Sequence, residues 1–248
     1  MKSIEDILLQ RTSVRRYERK KIEPEKLEFI YNAIRNTPTS YNGQQFSVIA
    51  IDDQTLKEEL YAITGQKQIK TSAIFLVFCA DFHKIKTIAD SLNIEFPEFT
   101  NTADGYTVGV IDAALAMQNA VNAALGLGLG CCCIGYARTA APEKIAELLK
   151  LPQNVCVVCG LAIGYPNESP DLKPKQPLSL LIHKNHYRTD DMTDELKEYN
   201  QTIIHYNQTR SGTTTTNDWA SHIIDYYQEA MNYKIKEYLK SQGFDIKK

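Results

Sequence analysis

Residues 108–138 read VGVIDAALAMQNAVNAALGLGLGCCCIGYAR. At about 100° per residue, the polar side chains between positions 112 and 124 (Asp112, Gln118, Asn119 and Asn122) fall within roughly a third of the helical circumference. Everything else there is Ala, Leu, Met or Val. The pattern predicts a helix over 112–125 that is buried nearly all round. Its alanines at 113, 114, 116, 120, 123 and 124 would let a second helix approach closely, which suits either a central core helix or a dimer seam. Gly126, Gly128 and Gly130 end it, since glycine is favoured just past a helix C-terminus. Residues 131–137 then predict a short apolar strand that turns at Gly135 and leads to Arg138. A dinucleotide fingerprint needs the order strand, glycines, helix, so that phosphate meets a helix N-terminus; here the order is helix, glycines, strand.

Working outward, 248 residues with 43% hydrophobic content suffice for a substantial core, and the whole chain reads as one domain, 1–248. A net charge of −2 argues against a surface dedicated to nucleic acid or anionic membrane and favours a small partner. No uninterrupted apolar run approaches the roughly 18 residues of a membrane span, and the start, MKSIEDILLQRTS, lacks the apolar core of a signal peptide. The six cysteines at 79, 131, 132, 133, 156 and 159 all lie in apolar strand-like runs rather than loops, which fits reduced thiols and a cytoplasmic setting.

Ser3 caps a first helix to Gln10, with Glu5 and Asp6 suited to its positive end. Pro24 opens a second helix to Arg35, residues 36–45 form a polar loop, and 46–52 a strand. A helix over 58–64 follows, capped by Asp52 or Asp53. AIFLVFCA at 73–80 and VCVVCGLAIG at 155–164 are apolar on both parities, as strands covered on both faces should be. Residues 81–107 read as irregular with some helix, 142–149 as a short helix, and 178–183 as a strand or extended arm. Two helices over 193–207 and 218–239 flank TRSGTTTTN at 209–217, a candidate mobile loop, so the C-terminal part from about 190 reads as an excursion. The outcome is an α+β sandwich whose sheet carries helices on both faces.

Taken together, several stretches resemble the FMN-dependent nitroreductase superfamily, in particular its oxygen-insensitive NADPH nitroreductase and flavin reductase branch. They are RTSVRRY (11–17), PTSYNGQQ (38–45), TGQKQI (64–69) before FLVFCADF (75–82), the opening stretch, LPQNVCVVCGLAIGYP (151–166), KPKQPLSLLIH (173–183) and KEYLKSQGF (236–244). The resemblance spans nearly the whole chain. It implies a nitroreductase-like sandwich around a central mixed sheet, in a domain-swapped homodimer, with bound FMN and NADPH or NADH as electron donor. It further implies that Arg11, Ser13 and Arg15 with Lys173 and Lys175 hold the FMN phosphate. Ser40, Gln44 and Gln66, with the backbone at Ile134 and Gly135, would contact the flavin ring, and Arg210 would face the nicotinamide cofactor. The residue types suit those roles: Arg offers a bidentate fork to phosphate and Lys a point charge, while amide side chains can both donate to and accept from a flavin ring. The implied activity is reduction of small aromatic acceptors such as nitroaromatics, quinones or flavins in two half-reactions; the alternatives are a dedicated flavin reductase and a non-catalytic flavin-binding protein. At Thr12, Tyr136 and the threonines 213–216 the chain departs from the family pattern.

A thiol oxidoreductase built on Cys156 and Cys159 is disfavoured because such pairs work at helix N-termini, whereas this one lies inside a strand pattern. The adjacent cysteines 131–133 alternate between sheet faces, and the five histidines lack ligand spacing, so no metal is expected.

Overall fold

A computed structural model describes residues 3–247, and the expectations for Met1, Lys2 and Lys248 lie outside them. Along the chain the elements are α1 (Ile4–Leu9), α2 (Pro24–Arg35), β1 (Phe46–Ile51), α3 (Gln54–Thr64), α4 (Lys67–Thr71), β2 (Ile74–Asp81), α5 (His83–Ser91), α6 (Ala103–Gly126), β3 (Gly130–Ile134), α7 (Tyr136–Thr139), α8 (Pro142–Leu148) and β4 (Val155–Gly164). They continue with α9 (Leu178–Leu181), α10 (Thr193–Thr209), α11 (Trp219–Ala230) and α12 (Ile235–Ser241). The chain forms two compact units, Met1–Ser169 with Lys234–Lys248, and Pro170–Tyr233.

The first unit is built on a four-stranded sheet in the order β1-β2-β4-β3. All eight residues of β2 are buried, and their parity sorts them. Ile74, Leu76, Phe78 and Ala80 join one cluster with α2, α6 and α12, while Phe75, Val77 and Cys79 join another with Leu60 of α3, Ile69 of α4 and Ile145 of α8. Helices therefore cover both faces. The sheet is antiparallel at every pairing among the described residues rather than mixed. The reason lies in the connections: α3 and α4 together carry the chain away from the end of β1 and back to the same end, so the neighbouring strand must run the opposite way.

The organising helix, α6, is longer than its sequence suggests, because Thr102 caps it by accepting the Gly105 N–H on its hydroxyl. By length and composition alone it could cross a membrane, yet half of that apolar window is buried inside the protein. Ala113, Ala116, Ala120 and Ala124 are wholly buried in the chain's own core, which makes it a core helix there. It is not buried all round: Ile111 and Leu115 are exposed on one stripe, whereas the polar Asp112 is fully buried.

Three further expectations are corrected. The strand after α6 ends at Ile134, and Tyr136–Thr139 turns helical from Gly135, whose backbone is already in the helical region. Leu178–Leu181 is a helical turn started by Pro177 rather than a strand; a short run apolar on both parities fits either form. The segment 218–239 is two helices, since Lys234 leaves helical geometry.

In the second unit, α10 and α11 pack with Tyr199 and Trp219 edge to face at 5.4 Å between centroids. Asp218 caps α11 by accepting the Ser221 N–H.

Candidate functional site

The segment 11–17 is seated on a pair of glycines. Gly130 of β3 and Gly164 of β4 face each other across the sheet. A Cβ on Gly130 would lie 2.8 Å from Val14 Cβ, and one on Gly164 would lie 2.9 Å from the Tyr17 ring, so only glycine admits this approach. The Val14 N–H donates to the Cys131 carbonyl at 3.0 Å, and Tyr17 pairs with Pro166 as an isolated antiparallel bridge. The buried Tyr17 hydroxyl lies within reach of the Val14 and Ala162 carbonyls, and burial above all keeps it protonated far beyond the usual tyrosine range.

With Val14 and Tyr17 turned inward, Arg11, Ser13 and Arg15 come together. Arg11 Nη2 donates to Ser13 Oγ at 3.3 Å, and Arg15 Nη1 to the Ser13 carbonyl at 3.4 Å. Arg11 Nε is buried without a hydrogen-bond partner, a donor that calls for an acceptor the protein does not supply. Glu168, which the sequence reading missed, accepts the backbone N–H of Arg15 at 2.5 Å and of Arg16 at 3.2 Å. Those amides are thereby occupied, which leaves anion recognition to the side chains. Arg15 also lines a cavity of about 360 Å³ with Arg16, Tyr17, Lys67, Gln68 and Thr71. Gln68 in turn donates to the Gln66 side-chain oxygen at 2.8 Å.

The second donor segment is the loop entering β1. Tyr41, Asn42 and Gln44 all have left-handed backbones, with φ of 53°, 55° and 52°, a conformation unfavourable for residues other than glycine. Asp112 holds this loop from α6: one carboxylate oxygen accepts the Ser40 N–H and the other the Gln45 N–H, both at 3.2 Å. Asn119, two turns further on, donates to the Ala33 carbonyl and the Thr37 hydroxyl. Lys84 closes the loop's far side by donating to the Gln44 and Phe46 carbonyls. The one acid within the alanine-rich stretch 108–126 was the available signal for Asp112.

At the end of β3, Ile134 is buried, while Gly135 is exposed with nothing within 4 Å of where a Cβ would stand. The same strand receives Val14 at Cys131, so the donor cluster and this open backbone share one edge of the sheet. Burial pushes the Cys131 and Cys156 thiols up to about 12 and raises Cys159 as well, which disfavours the thiolate a Cys156–Cys159 redox pair needs.

In the second unit, Lys173, Lys175 and Arg210 line a single cavity of about 410 Å³ together with Tyr199, Trp219 and His222. Arg210 Nε donates to the Thr213 carbonyl at 2.7 Å, Ser211 N–H to the Asp171 carboxylate at 2.5 Å, and Thr215 N–H to the Asn207 carbonyl at 3.0 Å. The threonine loop is thus fastened to α10.

Two family models match the chain: the Nitroreductase family over residues 8–165, and the Nitroreductase family, C-terminal domain, over residues 173–247. The chain belongs to the nitroreductase family. It is 34% identical over 243 residues to "FMN reductase [NAD(P)H]" of Bacillus subtilis, covering 97% of each chain. Against the "Oxygen-insensitive NADPH nitroreductase" of Salmonella typhimurium it is 35% identical over 240 residues, covering 96% of this chain and 97% of that one. The solved structure of a hypothetical oxidoreductase, YcnD, from Bacillus subtilis superposes with a TM-score of 0.95 at 33% identity over the full length of both chains. For this nitroreductase-family chain the donor chemistry suits FMN: the unpartnered Arg11 Nε and its neighbours fit a phosphate, and the open backbone at Gly135 fits a flat ring.

Proposed function

We propose that this chain is an FMN-dependent oxidoreductase that draws electrons from NAD(P)H and delivers them to small aromatic acceptors. The observation that carries the reading is the Arg11, Ser13 and Arg15 donor cluster, with its orphaned guanidinium nitrogen, on the edge of the sheet that ends at the open Gly135. When bound, FMN supplies the redox chemistry, taking a hydride from the nicotinamide and passing electrons on to the acceptor. The protein's task is to bind, orient and exclude water. Arg11, Ser13 and Arg15 hold the phosphate by charge-assisted hydrogen bonds. Ser40, Gln44 and Gln66 offer hydroxyl and amide groups to the ring, and Ile134 and Gly135 present backbone to it.

The sequence resemblance assigns Lys173 and Lys175 to the same phosphate and Arg210 to the nicotinamide cofactor. All three line one cavity of the second unit, which supports a role for them in holding anionic groups. We further read the protein as a homodimer, supported by the exposed apolar stripe of Ile111 and Leu115 on an otherwise core-forming helix. Its six free cysteines fit a cytoplasmic enzyme. The names of the relatives favour both free flavin and nitroaromatics as acceptors.

The test is the visible spectrum of the purified protein. Bound flavin that bleaches with NADPH or NADH and recovers its colour on adding a nitroaromatic under anaerobic conditions is the expected result. Flavin that never bleaches makes the chain a flavin-binding protein, and no flavin affinity at all overturns the reading.

A further inference from the structure

We propose that Asp112 is the positioning residue for the flavin, acting through the loop 40–45 that it clamps. This inference rests on the FMN reading above and adds a residue that touches no part of the cofactor.

The loop's own bonds, from the Gly43 N–H to the Ser40 carbonyl and the Gln44 N–H to the Thr39 hydroxyl, and Lys84 on its far side secure only part of its shape. Three of its residues, Tyr41, Asn42 and Gln44, sit in left-handed backbone conformations, which Asn tolerates but which are disfavoured for Tyr41 and Gln44, and the Tyr41 side chain is fully exposed, so packing does not compensate there. Something outside the loop must over-determine it. Asp112 does so from the middle of α6, where it is 0% exposed. Its two oxygens accept the Ser40 and Gln45 amides, the first and last residues of the loop, and fix the span between them in which Gln44 lies. The carboxylate has no ion-pair partner among the described residues, so these amides are its compensation for leaving water. A hydrophobic residue at 112 would pack the core of α6 equally well. The buried acid is therefore explained by the loop it sets rather than by the helix it sits in. Ser40 and Gln44 are the two groups that the loop delivers to the flavin ring, so Asp112 determines where the ring is held.

The experiment compares Asp112→Asn with wild type in the full-length protein. The amide keeps the shape but replaces one accepting oxygen with an NH2 that faces an N–H. Flavin affinity is measured by fluorescence quenching for FMN and for riboflavin, alongside the flavin absorption spectrum and midpoint potential. Because the loop serves the ring and not the phosphate, the variant should lose at least tenfold in affinity for both flavins by a similar factor, with a shifted spectrum and potential. Val121→Ala, in the same helix and 2% exposed, controls for general destabilisation of α6: at a matched loss of melting temperature it should leave the bound-flavin spectrum and potential unchanged. If Asp112→Asn does not fold, hydrogen exchange on the wild type decides. The Ser40 and Gln45 amides should be protected although they lie in a loop, and exchange at unprotected rates overturns the proposal. Asp112→Asn with wild-type flavin affinity, spectrum and potential overturns it too, as does a spectral and potential shift of equal size in Val121→Ala. Wild-type protein that binds no flavin would instead remove the FMN reading, and the proposal with it.

Discussion

Replacing Gly130 with alanine tests whether the donor segment depends on the glycine seat beneath it. The new Cβ would stand 2.8 Å from Val14 Cβ and 2.9 Å from both Val14 methyl carbons, where ordinary contact begins near 3.4 Å, so Val14 has to retreat by about 0.6 Å. Overpacking of this kind destabilises by about 1–3 kcal/mol. The same retreat stretches the 3.0 Å bond from Val14 N–H to the Cys131 carbonyl beyond useful length, which adds about 0.5–1.5 kcal/mol. A loss of about 2–4 kcal/mol is expected, read as a lower urea midpoint for the flavin-free protein and a melting temperature roughly 5–15 °C lower. FMN affinity should fall with it, because Arg11, Ser13 and Arg15 move with Val14. Gly135→Ala is the contrasting variant. Its φ of −67° and ψ of −30° suit alanine, and nothing stands within 4 Å of the added methyl. Flavin-free stability should be unchanged or higher by about 0.4–1 kcal/mol, while FMN affinity drops because the methyl occupies the ring's place. Wild-type stability in Gly130→Ala, or equal destabilisation in Gly135→Ala, would refute the reasoning.

Four further outcomes are expected. Arg15→Ala should weaken FMN by roughly tenfold, the low end for a charge-assisted bond because Arg15 is exposed, with riboflavin affinity almost unchanged; Lys175→Ala should do the same if the sequence-based assignment holds, and equal losses for both flavins would sink it. Arg210→Ala should lower kcat/KM for NADPH or NADH in steady-state assays, and unchanged values for both would remove the loop from the nicotinamide site. Stability should fall from about pH 9 toward pH 12: the thiols of Cys131 and Cys156, raised by burial from 9.0 to about 12, stay protonated in the native state while the unfolded chain ionises, so the native state binds more protons there and loses stability as pH rises. Urea midpoints that stay level from pH 8 to 11 would contradict this. On the proposed homodimer, Leu115→Asp should be monomeric by light scattering where the wild type is dimeric, and a variant dimer that survives would place the seam elsewhere.

How much was legible depended on whether one physical demand dominated a stretch. AIFLVFCA and VCVVCGLAIG could be read as buried strands because both faces of the sheet are covered, and apolar character on both parities leaves few alternatives. The start of α6 was missed because Gly105 and Gly109 look like breakers. They are there for close approach, since a Cβ on Gly105 would stand 2.0 Å from the Phe99 carbonyl oxygen and one on Gly109 2.8 Å from the Ala80 side chain. Leu178–Leu181 is four residues long, too short for a period to separate helix from strand. In the site, Arg11, Ser13 and Arg15 were marked by the family resemblance and not by their own spacing; the structure brings both arginines into hydrogen-bond reach of Ser13. Glu168 carried none: its role is to accept two amides 152 and 153 residues away in sequence, and no local pattern announces such a contact.

The most instructive correction concerns the expectation that α6 is buried nearly all round. A helical wheel assigns Asp112, Gln118, Asn119 and Asn122 to one stripe, and a polar stripe on an apolar helix is ordinarily the solvent side. In the fold, Asp112 is wholly buried and Asn119 is fastened to Ala33 and Thr37, while Ile111 and Leu115 of the same helix face outward. Two of its polar residues thus serve the preceding segment, 33–45, and two of its apolar residues stay about half exposed. Each departure from the simple pattern is unfavourable for an isolated helix in water; the loop 40–45 completes the buried acid, and the proposed second subunit would complete the exposed stripe. Both departures fall on adjacent residues, 111 and 112, so in the proposed homodimer subunit contact and loop geometry would be set within one turn of one helix. A change that shifts α6 along its axis should therefore alter dimer affinity and flavin affinity together, whereas two independently evolved surfaces would respond separately.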